Sequence, residues 1–170
     1  MRQSPYPKQL DLMDFIAIFG SVYEHSPWVA EAVYPSLTPG SDAAAMAEQM
    51  RSVVNAASDK LKLDLLRAHP DLAGRLSLAE LTESSRSEQT GAGLDRCTPE
   101  ELSEFQALNT AYIEKFGFPF IFAVKGYHRT DILDAFRVRV THSREVEFKT
   151  AIEQVHRIAK LRLETIANEN

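Results

Sequence analysis

The 170-residue sequence predicts a single all-α domain of seven or eight helices. Three observations carry that expectation. Glycine is sparse, at 7 residues, while apolar residues recur at i, i+3, i+4 and i+7 rather than alternating. Helix-start signals also punctuate the chain, and one apolar stretch alone lacks the helical period.

The elements follow in order. Leu12, Phe15, Ile16 and Phe19 form one stripe, which the turn-rich stretch from Gly20 to Pro27 closes. Ser41 and Asp42 stand as a cap before a helix over residues 43–57. Ser58 and Asp59 open another over 60–68. Pro70 ends that run, because the residue before a proline is pushed out of the helical region. A further helix is expected over residues 79–91. The sharpest start signal is Thr98-Pro99-Glu100-Glu101, with an N-cap threonine, a proline at the first helical position and a capping-box glutamate. From it Leu102, Phe105, Leu108, Asn109, Tyr112 and Phe116 run along one face to Gly117. Thr130 is expected to open a helix through Leu133, Phe136 and Val140. Ser143 should cap a long last helix carrying Val146, Ile152, Val155, Ile158, Ala159 and Leu163.

Composition narrows the function classes. Lys and Arg total 19 against 24 Asp and Glu, a formal charge of −5, whereas a general nucleic-acid or anionic-membrane binder needs a basic surface. The single cysteine, Cys97, excludes an intramolecular disulfide framework and a cysteine-rich zinc cluster. Neither a signal-peptide core nor a run of about 20 apolar residues is present, so a cytoplasmic protein is expected. The five histidines form no His-x-x-x-His pair, and no metal is expected. No glycine-rich phosphate loop or nucleophile elbow appears.

Residues 118–124, Phe-Pro-Phe-Ile-Phe-Ala-Val, are apolar on both faces. A short buried strand is one reading, but no second strand offers a partner. Buried N–H and C=O groups need one, so either loops and water satisfy them or they face a ligand. His69 stands where a helix stops, near the negative end of its dipole, which favours the protonated ring. It is either a capping histidine or a proton donor. In the stretch 81–89, Ser85, Glu88 and Gln89 lie at i, i+3 and i+4 if helical, and Glu88 continues the side of Leu81 and Ala92. That face is either solvated or a polar ligand site with a partly buried carboxyl. Of the basic residues Arg137, Arg139, Arg157, Lys160 and Arg162, most are expected on the surface, paired with glutamates. Arg162 follows Ile158-Ala159, so its stem can lie on apolar surface and its guanidinium can clamp a carboxylate or planar amide-like group. From spacing alone, a surface role for Arg162 stands beside that one.

Several segments together carry a family resemblance. They are Glu24-His25-Ser26-Pro27-Trp28-Val29-Ala30, His69-Pro70-Asp71-Leu72-Ala73, and Leu81-Thr82 followed by Ser85-x-x-Glu88-Gln89. Ala92-Gly93-Leu94, Leu108-Asn109-x-x-Tyr112 and Lys115-Phe116-Gly117-Phe118-Pro119-Phe120-Ile121 continue it. Arg139, Glu147 and Ile158-Ala159-x-x-Arg162-Leu163 complete it. In this order they resemble 2-oxo-4-hydroxy-4-carboxy-5-ureidoimidazoline (OHCU) decarboxylase, which makes (S)-allantoin in urate degradation. The resemblance implies an all-helical carboxy-lyase without a cofactor, acting on a small ureidoimidazoline as a homodimer. It implies His69 as the catalytic acid and Glu88 as its carboxylate partner. Pro70, Ser85, Gln89, the backbone of Phe120, Ile121, Phe122, Ala123 and Val124, and Arg162 would contact substrate. Such a substrate conjugates its reacting centre with a C=N unit and so serves as its own electron sink. A rival reading comes from His-Pro-Asp, which J-domain interaction modules also present between two helices. Asp64 and the leucines of the preceding helix argue against a basic docking face there. A helical ligand-binding regulator would need a basic recognition helix, which is missing.

Overall fold

The computed structural model describes residues 3–70, 72, 93 and 96–169. Among them are seven α-helices: α1 (Leu12–Phe19), α2 (Trp28–Val33), α3 (Ala43–Ala56), α4 (Asp59–Ala68), α5 (Pro99–Phe116), α6 (Arg129–Arg139) and α7 (Arg144–Glu169), with a 3-10 turn at Tyr34–Ser36. No strand occurs among the described residues, and none of their helices is long and apolar enough to cross a membrane. The helix expected over 79–91 lies outside the described residues.

The start signals act where the sequence placed them, with one shift. Asp42 accepts from the Ala45 N–H at 2.8 Å and caps α3 as expected, while Asp11, which the spacing does not single out, accepts from the Asp14 N–H at 2.8 Å and caps α1. At α5, Thr98 Oγ1 accepts from Glu101 N–H at 3.1 Å while Glu101 accepts from Thr98 N–H at 3.0 Å, a complete capping box. Gly117 ends α5 at φ +78°, a conformation that costs a side-chain-bearing residue energy. α6 begins at Arg129, one residue before the expected Thr130. His128 is its N-cap, and Asp131 accepts from the His128 N–H at 3.0 Å. The helix α2 was not expected, since six residues flanked by prolines are too few to show a period.

The chain divides into two compact units, Met1–Ala68 with Val155–Asn170, and His69–Gln154. In the first, α1 buries Phe15 and Phe19 against Tyr6, which meets both rings edge-on at 5.2 and 6.1 Å, while the two phenylalanines tilt against each other at 4.7 Å. Full burial of rings of this size contributes about 1.5–3 kcal/mol each. The same unit holds Tyr23 and His156 in contact at 2.7 Å, with His156 Nε2 3.1 Å from Asn55 Oδ1. An Nε2-protonated ring satisfies both contacts.

In the second unit, α5 buries Phe105, Tyr112 and Phe116, and α6 buries Ile132, Leu133 and Phe136. The apolar stretch 118–124 closes over this layer. Phe120 stacks on Phe136 with centroids 3.8 Å apart and planes 9° from parallel, and Tyr112 meets both rings edge-on. Phe118 adds an edge contact to Phe148 of α7. These side-chain contacts, rather than a sheet, hold the stretch in place.

Candidate active site

His69 directly follows α4 and is half-buried, with its Nε2 atom out of solvent. Nδ1 lies 3.3 Å from the Pro70 carbonyl, so a ring that carries its proton on Nδ1 satisfies that contact. Pro70 is buried. Leu72, two residues on, is anchored by Asn109 of α5, whose Nδ2 donates to the Leu72 carbonyl at 2.9 Å. The loop bearing the imidazole is thereby tied to the same face of α5 that presents Tyr112, since positions i and i+3 share a helix side.

The stretch 120–124 is the second component. Phe120, Ile121, Ala123 and Val124 are buried and Phe122 is half-buried. The carbonyl of Ile121 accepts from Arg139 Nη1 at 2.7 Å, and that of Val124 from Tyr127 N–H at 2.9 Å. Ala123 donates its N–H to Gln154 Oε1 at 2.8 Å. Among the described residues, no acceptor meets the N–H groups of Phe120, Ile121, Phe122 or Val124. Buried amides are paired in more than nine cases of ten, so a run of open ones is unusual. Of the five expected contact residues, Ala123 alone has its amide committed to a side chain.

Behind this stretch lies a polar cluster. Glu147 of α7 is fully buried and accepts from Tyr112 Oη at 2.6 Å and from Arg139 Nε at 2.9 Å, with His142 Nδ1 at 3.0 Å. Arg139 is itself buried, and its guanidinium carbon sits 4.4 Å over the Phe120 ring. Burial pushes the Tyr112 hydroxyl well above the ordinary phenol range, and the hydrogen bond to Glu147 adds to the effect. The hydroxyl therefore stays protonated and donating. The expectation that most of the late basic residues lie on the surface holds for Arg137, which pairs with Glu104 and Asp134 among exposed side chains. Arg139 departs from it. Its position continues the Ile132–Phe136 stripe at i+7, a signal that could have placed it in the core.

Arg162 belongs to the first unit and is buried, so the surface reading of this residue gives way. Its Nη2 donates to Glu24 Oε2 at 3.2 Å, and Nη1 to the carbonyls of Ser21 and Val22 at 3.3 and 3.4 Å. Pairing with a fully buried carboxylate lowers the cost of taking the guanidinium out of water. Glu24 is adjacent to His25, which adopts a left-handed φ of +57°. Ser85, Glu88 and Gln89 lie outside the described residues.

Comparison with known proteins places these features. The OHCU decarboxylase family profile matches residues 8–164. The 2-oxo-4-hydroxy-4-carboxy-5-ureidoimidazoline decarboxylase of Halalkalicoccus jeotgali is 46% identical over 158 residues, covering 93% of this chain and 88% of that one. Its counterpart in Haloferax volcanii is 45% identical, covering 91% and 90%. A crystal structure of (S)-allantoin synthase superposes with a TM-score of 0.73 at 35% identity, covering 92% of this chain and 51% of that one. The J-domain reading finds no support in these matches. The chain belongs to the OHCU decarboxylase family.

Proposed function

We propose that this chain decarboxylates 2-oxo-4-hydroxy-4-carboxy-5-ureidoimidazoline to (S)-allantoin, the reaction class of its family and the chemistry named for its relatives. The observation that carries the reading is the run of open amides at Phe120, Ile121, Phe122 and Val124 in a buried, strand-free stretch. A planar ureide offers several carbonyl oxygens along one edge, and backbone N–H groups fixed by packing are suited to donate to developing negative charge on them.

The atoms balance without an external electron sink. The bond to the carboxyl carbon breaks, CO2 leaves, and its electron pair moves into the adjacent ring C=N unit. The carbon bearing the ureido group then takes one proton, while the ring hydroxyl becomes a carbonyl and its proton passes to the ring nitrogen that received the C=N electron pair, so that one proton is consumed for each carboxylate lost. His69 is the proposed donor of the carbon-bound proton. Delivery from a single direction would set the (S) configuration, and such a general acid contributes about 10²- to 10⁴-fold. The family resemblance assigns Glu88 as the carboxylate partner of His69. It assigns Pro70, Ser85, Gln89, the backbone of Phe120, Ile121, Phe122, Ala123 and Val124, and Arg162 as substrate contacts. A carboxylate near the departing carboxylate would disfavour the ground state relative to a transition state that sheds charge. No cofactor is needed for this route. A cytoplasmic homodimer is the proposed form, on the same resemblance.

The test is circular dichroism on urate freshly oxidised by a urate oxidase. The wild-type protein should speed the appearance of the (S)-allantoin signal, and His69→Asn should remove most turnover while its far-ultraviolet spectrum stays unchanged. A histidine variant with the wild-type rate and product handedness would overturn the assignment.

A further inference from the structure

We propose that Arg139 is a positioning residue for the open amides of the 120–124 stretch, with Glu147 and Gln154 completing the frame. The inference rests on the functional reading above only for its activity arm. Three contacts on one guanidinium carry it. Nε donates to buried Glu147 at 2.9 Å, Nη1 donates to the Ile121 carbonyl at 2.7 Å, and the planar group covers the Phe120 ring at 4.4 Å. Ile121 is central to the stretch, so holding its carbonyl fixes the peptide plane whose other end is the Phe122 N–H. Gln154 of α7 fixes the next plane from Ala123 N–H. Both planes are thus tied by side chains, while the Ile121, Phe122 and Val124 N–H groups have no acceptor among the described residues.

Glu147 sets the orientation of the fork. It is fully buried and holds Arg139 through Nε rather than through a terminal nitrogen, which leaves the terminal nitrogens directed elsewhere. Tyr112 donates to the same carboxylate oxygen as Arg139 at 2.6 Å, and His142 Nδ1 lies 3.0 Å from the other oxygen. A guanidinium can serve the carboxylate, the Ile121 carbonyl and the Phe120 face at once because it is planar and carries five donors. A lysine ammonium is a point charge and can hold the carboxylate or the carbonyl, but cannot stack on the ring as well. This difference separates positioning from simple charge balance.

The experiment compares Arg139→Lys and Gln154→Met with wild type. Urea denaturation and amide hydrogen exchange are measured on all three, with kinetics on freshly oxidised urate. Arg139→Lys should remain folded with its helical amides protected, while the hydrogen-bonded Ala123 amide of the stretch exchanges at least tenfold faster. Its kcat should fall 10- to 100-fold with KM changing less than threefold, because the donors remain but point wrongly. Gln154→Met should show the same pattern for Ala123 and a smaller loss in kcat. If Arg139→Lys leaves both the exchange of the stretch and kcat at wild-type values, Arg139 does not position it. If the variant fails to fold, Gln154→Met decides: unchanged exchange at Ala123 with unchanged kcat overturns the frame. A wild-type protein with no activity would fail the functional reading, yet the exchange arm would still decide this inference.

Discussion

Replacing Glu147 by Gln removes the charge from a fully buried carboxylate of the His69–Gln154 unit and keeps its shape. The wild-type carboxylate is 0% exposed and its partner Arg139 is 8% exposed, so the variant leaves a guanidinium out of water with no counter-charge on Nε. Breaking a buried pair by deleting one partner costs about 3–5 kcal/mol. Tyr112 and Arg139 donate to the same oxygen of Glu147, which the Gln carbonyl can replace, so the lower half of that range is the better expectation. At this chain length each kcal/mol moves the melting temperature by roughly 2–4 °C, and the variant should melt on the order of 6–16 °C lower. Urea denaturation followed by circular dichroism measures the cost, and the double variant Glu147→Leu with Arg139→Met measures the coupling. Because both ions are then absent, the double variant should be more stable than the sum of the single losses by about 1–3 kcal/mol. A Glu147→Gln cost under about 1 kcal/mol, or single costs that simply add, would refute the account of a buried ion pair holding this region.

Two further outcomes follow from the same geometry. Asn109→Leu should cost about 1–3 kcal/mol in urea denaturation, because the buried Leu72 carbonyl loses its donor. Its kcat should fall by more than the unfolded fraction explains, since the His69 loop loses its anchor; unchanged stability and rate would remove Asn109 from the account. Glu101 is held below the usual carboxylate range, first by its hydrogen bond from the Thr98 backbone and then by Arg129. A depressed value means that its contribution is present above the unfolded value of about 4.3 and is lost as pH falls through the folded value. The stability gap between wild type and Glu101→Gln, read from urea midpoints at pH 7 and pH 3, should therefore close at the lower pH. A gap of the same size at both would contradict the assignment.

Local signals made most of the helices legible. Thr98, Pro99 and Glu101 act within four residues, so their capping box is written in sequence and appears unchanged in three dimensions. The His128 cap was missed because a histidine ring rarely substitutes for the short side chains that usually cap helices. The apolar 118–124 stretch is recognisable as irregular from its missing period, and the structure gives it neither helix nor strand. What could not be read was which charges go inside. Arg139 and Glu147 are eight positions apart on different helices, and only the turn between α6 and α7 brings them to 2.9 Å. Arg162 posed the same problem on a larger scale, since Glu24 is 138 residues away in the chain. Sequence spacing marks an apolar face well, but a charge on that face becomes intelligible only once its partner is in view.

The most direct measurement is a crystal structure of the protein soaked with (S)-allantoin. The account predicts hydrogen bonds from two or more of the Ile121, Phe122 and Val124 N–H groups to ureide oxygens, with the His69 ring facing the carbon that carries the ureido group. A ligand bound elsewhere, with those amides turned onto packed side chains, would contradict it.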